Sequence, residues 1–113
     1  MRKDLIVKMI ERLRTIESKN FCIDVWTEDC GTVGCVAGHC RDILGFKLDE
    51  MGEMEVRGID IMGDLSKVLE LDDFNTERIF HPNSYDRENF FNRDEVRSRN
   101  LFEAVRRLEG LIK

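Results

Sequence analysis

The stretch Asp4-Leu5-Ile6-Val7-Lys8-Met9-Ile10-Glu11-Arg12-Leu13-Arg14-Thr15-Ile16-Glu17-Ser18 decides the fold. Leu5, Ile6, Met9, Ile10, Leu13 and Ile16 recur at intervals of three and four. That is the period of a helix with one apolar face. Asp4 suits the N-cap, because its carboxylate can take an orphan amide proton. Lys3, Lys8, Arg12 and Arg14 fall on the other faces. Such a stripe needs further helices to bury it, and the rest of the chain supplies them. Asp94 to Ile112 reads as a long last helix with Val96, Leu101, Ala104, Val105, Leu108 and Ile112 turned inward. Ile61, Met62, Leu65, Val68 and Leu69 predict a helix over about 58–70. A short one follows, capped by Asn75 or Thr76, burying Ile79 and Phe80 and ended by Pro82.

Between the first helix and these lies a less regular region. Residues 20–26 alternate weakly, as a short extended piece would, and 27–31 read as a turn. Thr32 is placed to cap a helix from Val33 to Leu44, which Gly45 stops in the left-handed conformation. Residues 46–57 read as an acidic loop, and His81 to Tyr85 as a polar turn carrying aromatics. No strand pattern and no repeat emerges. The expected architecture is all-α, one small domain over residues 1–113, with four to five helices around one core. A chain of 113 residues should have a radius of gyration of roughly 13 Å.

Composition narrows the function classes. The chain is 42% hydrophobic and 36% charged, which fits neither a membrane span nor a disordered tail. No apolar run nears the roughly 18 residues that cross a bilayer. Without a leader-like segment at its start, the chain is expected in the cytosol of a bacterium or of a host cell. The net charge of −5 is unevenly spread: +3 over residues 1–19, −10 over 20–92 and +2 over 93–113. An acidic middle repels a polyanion, which disfavours nucleic acid as a partner. The expected partners are a small anionic ligand or a host protein, with a homo-oligomer a further option, since small helical domains often complete their core across a two-fold axis.

Cys30-Gly31-Thr32-Val33-Gly34-Cys35-Val36-Ala37-Gly38-His39-Cys40 is the one stretch that composition does not explain. Together with Cys22, its cysteines are spaced C-x7-C-x4-C-x4-C, unlike the paired C-x2-C of common zinc sites. The stretch resembles small, largely uncharacterised bacterial and bacteriophage proteins that carry C-G-T-x-x-C-x-x-G after an aromatic-containing loop. Here Cys30, Gly31, Thr32, Cys35 and Gly38 match, with Trp26 upstream. His39 stands where those proteins often have an aromatic. The resemblance implies a setting in host–phage conflict and no particular reaction.

Three chemistries compete for this segment. In the structural reading, Gly31 makes the turn, Thr32 caps, Cys35 is a small buried group and the glycines let a helix approach. In the ligand reading, the amides of Val33, Gly34 and Cys35 at a helix N-terminus hold a phosphate. Trp26, His81, Tyr85 and Phe90 then offer a stacking wall, and Arg41 or Arg78 a counter-charge. With Gly31 and Thr32 these residues form the expected site of a nucleotide-type ligand. In the thiol reading, Cys30, Cys35 and His39, with Cys22 or His81, bind zinc; alternatively Cys30 or Cys35 serves as a nucleophile whose pKa the helix N-terminus lowers. The favoured reading is a non-enzymatic binding protein that needs no cofactor and sequesters a phosphate-containing ligand. The alternatives are an adaptor or inhibitor using the acidic surface around Glu50, Glu53 and Glu55, and a zinc-stapled module.

Overall fold

The computed structural model describes residues 1–22, 35–45, 61–87 and 91–112, apart from the side chains of residues 61, 62 and 82. Within these residues it is helical, with no strand. The elements are α1 (Lys3–Thr15), α2 (Val36–His39), α3 (Arg41–Leu44), α4 (Ile61–Leu69), α5 (Asp73–Phe80) and α6 (Arg93–Leu111), with single 3-10 turns at Ser18–Asn20 and Pro82–Ser84. The radius of gyration is 13.2 Å.

α1 follows its apolar period. Ile6, Met9 and Leu13 are wholly buried and Ile10 nearly so. Leu5 and Ile16 pack against this core from its margin. The helix starts two residues earlier than a cap at Asp4 predicts, and it ends at Thr15, three residues before Ser18. Arg2 holds the N-cap position and Asp4 lies in the first turn. There the Asp4 carboxylate receives the Arg2 guanidinium at 2.8 and 3.1 Å, which pulls its pKa down to about 2.

The expected helix from Val33 to Leu44 is two short helices joined at Cys40. The N-cap is Cys35, in extended backbone, so Thr32 is not the cap of this helix. Gly45 ends α3 at φ 83°, the left-handed geometry its lack of a Cβ allows. Helices of four residues do not stand by themselves. These are held by side chains from outside. Arg12 on α1 donates to the His39 carbonyl at 2.8 Å and forks onto the Asp42 carboxylate at 2.7 and 2.8 Å. Arg41 donates to the Gly38 carbonyl at 2.7 Å. The His39 ring meets the Asn20 carbonyl at 2.7 Å and stacks on Phe21, with centroids 6.3 Å apart.

α5 is capped by Asp72, whose carboxylate accepts the Asn75 amide at 2.9 Å; Asn75 and Thr76 lie inside the helix. Asp72 is the better cap by position, because its oxygen reaches the third amide of the turn. Thr76 is buried and its hydroxyl donates back to the Asp72 carbonyl at 2.8 Å. α4 ends with Glu70 at φ 54°. That left-handed residue lets the Leu71 amide reach the Ser66 carbonyl at 3.0 Å. α6 buries Val96, Asn100, Ala104 and Leu108. It lies along α1, where Arg14 bridges to Glu109 at 2.6 Å.

Three consequences are measurable by denaturant unfolding. Leu13→Ala should cost about 2–5 kcal/mol, the range for a large buried side chain in a core that cannot close the hole. Glu70→Gly should gain up to about 1 kcal/mol by relieving the left-handed strain. Asp42 behaves as a depressed carboxylate, its pKa lowered chiefly by the Arg12 hydrogen bond. Its contribution is therefore complete above the unfolded pKa, near 4, and disappears as pH falls through the folded value. Because the pair is half-exposed, Asp42→Asn should cost no more than about 1 kcal/mol at neutral pH and nothing in strong acid.

Candidate functional site

Trp26, Gly31, Thr32, Val33, Gly34 and Phe90 lie outside the described residues, as do Cys30 and the acidic stretch 46–60. Of the other expected site residues, Arg78, His81 and Tyr85 come together where α5 meets α6. Cys35 begins α2 and Arg41 begins α3, and Arg41 is already engaged with the Gly38 carbonyl.

The corner formed by the C-terminus of α5, the Pro82–Ser84 turn and α6 is organised by a residue with no sequence signal of its own. Arg107 donates to the Arg78 carbonyl at 2.6 Å, the Ser84 carbonyl at 2.8 Å and the Ser84 hydroxyl at 3.1 Å, and pairs with Glu103 at 3.0 Å. Its guanidinium covers the Tyr85 ring, 4.4 Å from the centroid. Tyr85 is buried and donates its hydroxyl to the Ile79 carbonyl at 2.6 Å. Burial pushes the phenol well above its usual range. Tyr85 is thus part of the core, with one face occupied by Arg107, and does not offer a stacking wall to solvent. His81 accepts the Asn83 amide on Nδ1 at 3.1 Å and takes the Ser84 amide and hydroxyl on its carbonyl at 3.0 and 2.8 Å, a turn-shaping role.

Two open clefts flank α6 here. The first, about 570 Å³, is lined by Ser84, Tyr85, Asp86, Arg99, Phe102 and Glu103 among others. Its cations are matched: Arg99 faces Asp86 at 3.4 Å, and Arg107 faces Glu103. The second, about 610 Å³, lies between the first turn of α5 and the last turns of α6. Arg78, Arg106 and Arg107 line it, against the carboxylates of Glu70 and Asp72. Arg106 is paired with Glu103 at 2.9 Å, whereas Arg78 forms no ion pair among the described residues. Its guanidinium instead lies over Phe74, 5.9 Å from the ring centroid, and Phe74 is 69% exposed.

Cys35 is a small buried group, as in the structural reading of the segment. Cys22, Cys35 and Cys40 are buried, and none of the three is in a disulfide. At Cys35 the Gly38 and Ala37 amides pull the pKa down, but burial outweighs them and raises it to about 11. Cys40 is raised by burial to about 12. A helix start therefore does not activate Cys35, because desolvation of the thiolate exceeds the pull of the amides. Among the described residues no group of three His, Cys, Asp or Glu side chains converges as metal ligands, and the His39 ring is engaged by Asn20 and Phe21.

No helix among the described residues is long and apolar enough to cross a membrane. Neither a family model, nor a curated protein, nor a solved structure matches this chain.

Two predictions come from this corner. Arg107→Ala should lower stability by about 1–2 kcal/mol, because it removes a donor from the Arg78 and Ser84 carbonyls and uncovers Tyr85; chemical denaturation reads it directly. Disulfide-exchange reagents at pH 8 should label Cys35 and Cys40 only as fast as the chain opens, with full labelling in denaturant.

Proposed function

We propose that this chain is a non-enzymatic binding protein that takes a small phosphate-containing ligand in the cleft between α5 and the end of α6. One observation carries the reading: Arg78 lines that cleft without a carboxylate partner among the described residues, set over an exposed aromatic ring. A guanidinium recognises phosphate by two parallel hydrogen bonds, and a fork lying along a ring spends less entropy in reaching that geometry. Arg106 lines the opposite wall with its charge already met by Glu103 at 2.9 Å, so Arg78 is the cation left for the ligand. Phe74 presents a flat apolar surface one turn away on α5, on which a base can stack while its phosphate meets Arg78. A ligand with a planar moiety and a phosphate matches both groups at once, so a nucleotide-type molecule is favoured over inorganic phosphate. In the host–phage setting that the Cys30–Gly38 resemblance implies, such binding would remove a nucleotide signal from circulation.

This reading keeps the ligand class expected from the sequence and rests on Arg78, one of the expected site residues, together with Phe74; Trp26, Val33 and Gly34 lie outside the described residues. Calorimetry at physiological salt against mono-, di- and cyclic nucleotides, with inorganic phosphate beside them, tests it. At least one nucleotide should bind more tightly than phosphate. Arg78→Ala should weaken that binding at least about tenfold, or 1.4 kcal/mol, and Phe74→Ala should erase the preference over phosphate. Binding should also weaken as salt rises. No heat from any member of the panel, or binding indifferent to Arg78, overturns the proposal.

A further inference from the structure

The outer face of α6 has a pattern that its role inside the fold does not use. Val96, Asn100, Ala104 and Leu108 face the core. On the opposite side Glu95, Arg99, Phe102 and Arg106 are exposed, Phe102 by 70% and the Arg106 side chain by 67%. Their intervals are four, three and four, which is the seam spacing of a coiled coil. The intervals read the same in either direction, while the order puts an acid at one end, a cation at the other, and a cation beside an aromatic in the middle.

We propose that two copies of this chain pair through α6, antiparallel about a two-fold axis. In the register that centres the seam, Glu95 of each copy faces Arg106 of the other, and Arg99 of each faces Phe102 of the other. Both contacts occur twice, and all four are attractive: two ion pairs at the ends, about 16 Å apart along the helix, and two cation–π pairs between them. The antiparallel arrangement also opposes the two helix dipoles favourably. A parallel pair would place like residues side by side, Glu95 on Glu95 and Arg106 on Arg106, so the charges themselves select the antiparallel form. Existing pairs within one chain do not block it. Glu103 has Arg107 as a second partner at 3.0 Å when Arg106 turns outward, and the Arg99–Asp86 contact is long at 3.4 Å. The same register sets Phe91, 94% exposed, beside Gly110 of the other copy, where a side-chain carbon would meet nothing within 4 Å.

An interface of one helix per copy is small, so the dimer should be weak, with half-association on the order of 100 µM. Sedimentation of the full chain should show a mass of 13.3 kDa when dilute, climbing toward twice that value on concentration. Phe102→Glu should hold it at the lower mass, with an unchanged helical circular dichroism spectrum to show that it folds. Glu95→Arg and Arg106→Glu should each remain monomeric alone, since each sets like charges together twice. Mixed one to one, these two variants should associate, because the mixed dimer restores both ion pairs. A wild-type chain that stays monomeric across this range overturns the proposal. So does a dimer that Phe102→Glu leaves intact, or a pair of variants that fails to associate on mixing. Assemblies larger than two would overturn the two-fold register and point to a head-to-tail contact.

Discussion

Removal of one face of α1 from water is the condition on which the other elements depend. Ile6, Met9 and Leu13 have no exposed surface, and α1 touches α2, α3, α4 and α6. α2 and α3 are too short to persist alone, and α5 has few apolar residues beyond Ile79 and Phe80. α2 and α3 stay in place because the α1 stripe gives their apolar side chains a surface to cover, while α5 is held by α2, α4 and α6.

Arginine does a second job that burial cannot. The chain has twelve arginines and six lysines, and several arginines serve backbone carbonyls of other segments. Arg12 holds the His39 carbonyl, Arg97 the Lys19 carbonyl at 2.6 Å, and Arg107 those of Arg78 and Ser84. Ends of short helices and turns leave such carbonyls without partners inside their own element. A guanidinium can satisfy two or three at once in fixed geometry, which an ammonium cannot do as well. The excess of arginine is therefore structural in good part, and only a guanidinium not so committed, such as that of Arg78, remains for a ligand.

Period and punctuation made α1, α4, α5 and α6 readable from the residues, to within a residue or two at most of the described ends. Gly45 was readable as a stop because only a left-handed residue fits there. The break at Cys40 was not, although Gly38 weakens the helix just before it; Arg12 and Arg41 draw on the His39 and Gly38 carbonyls at the end of α2. The candidate site was legible in chemistry more than in place. Arg78 was a candidate from its charge, whereas Phe74 drew no reading from the sequence and is marked out only by its exposure. Tyr85 reads as a surface aromatic in a polar turn until Arg107, 22 positions later in the sequence, is found covering it. Long-range pairings of this kind leave no trace in local spacing.

Asn100 carries a last consequence. Its side chain takes the Asp86 amide at 3.3 Å and gives a proton to the Asp86 carbonyl at 2.7 Å, as a neighbouring strand would. The loop is thus fastened through its main chain, so the side chain at 86 takes no part in the fastening and reaches Arg99 at 3.4 Å, while the one at 100 makes it. An aspartate there has the right outline and the wrong polarity, having no proton to give. A difference of a single NH2 group at one buried position therefore separates a tethered loop from a repelled one, and drift in this sequence should be generous at 86 and stingy at 100.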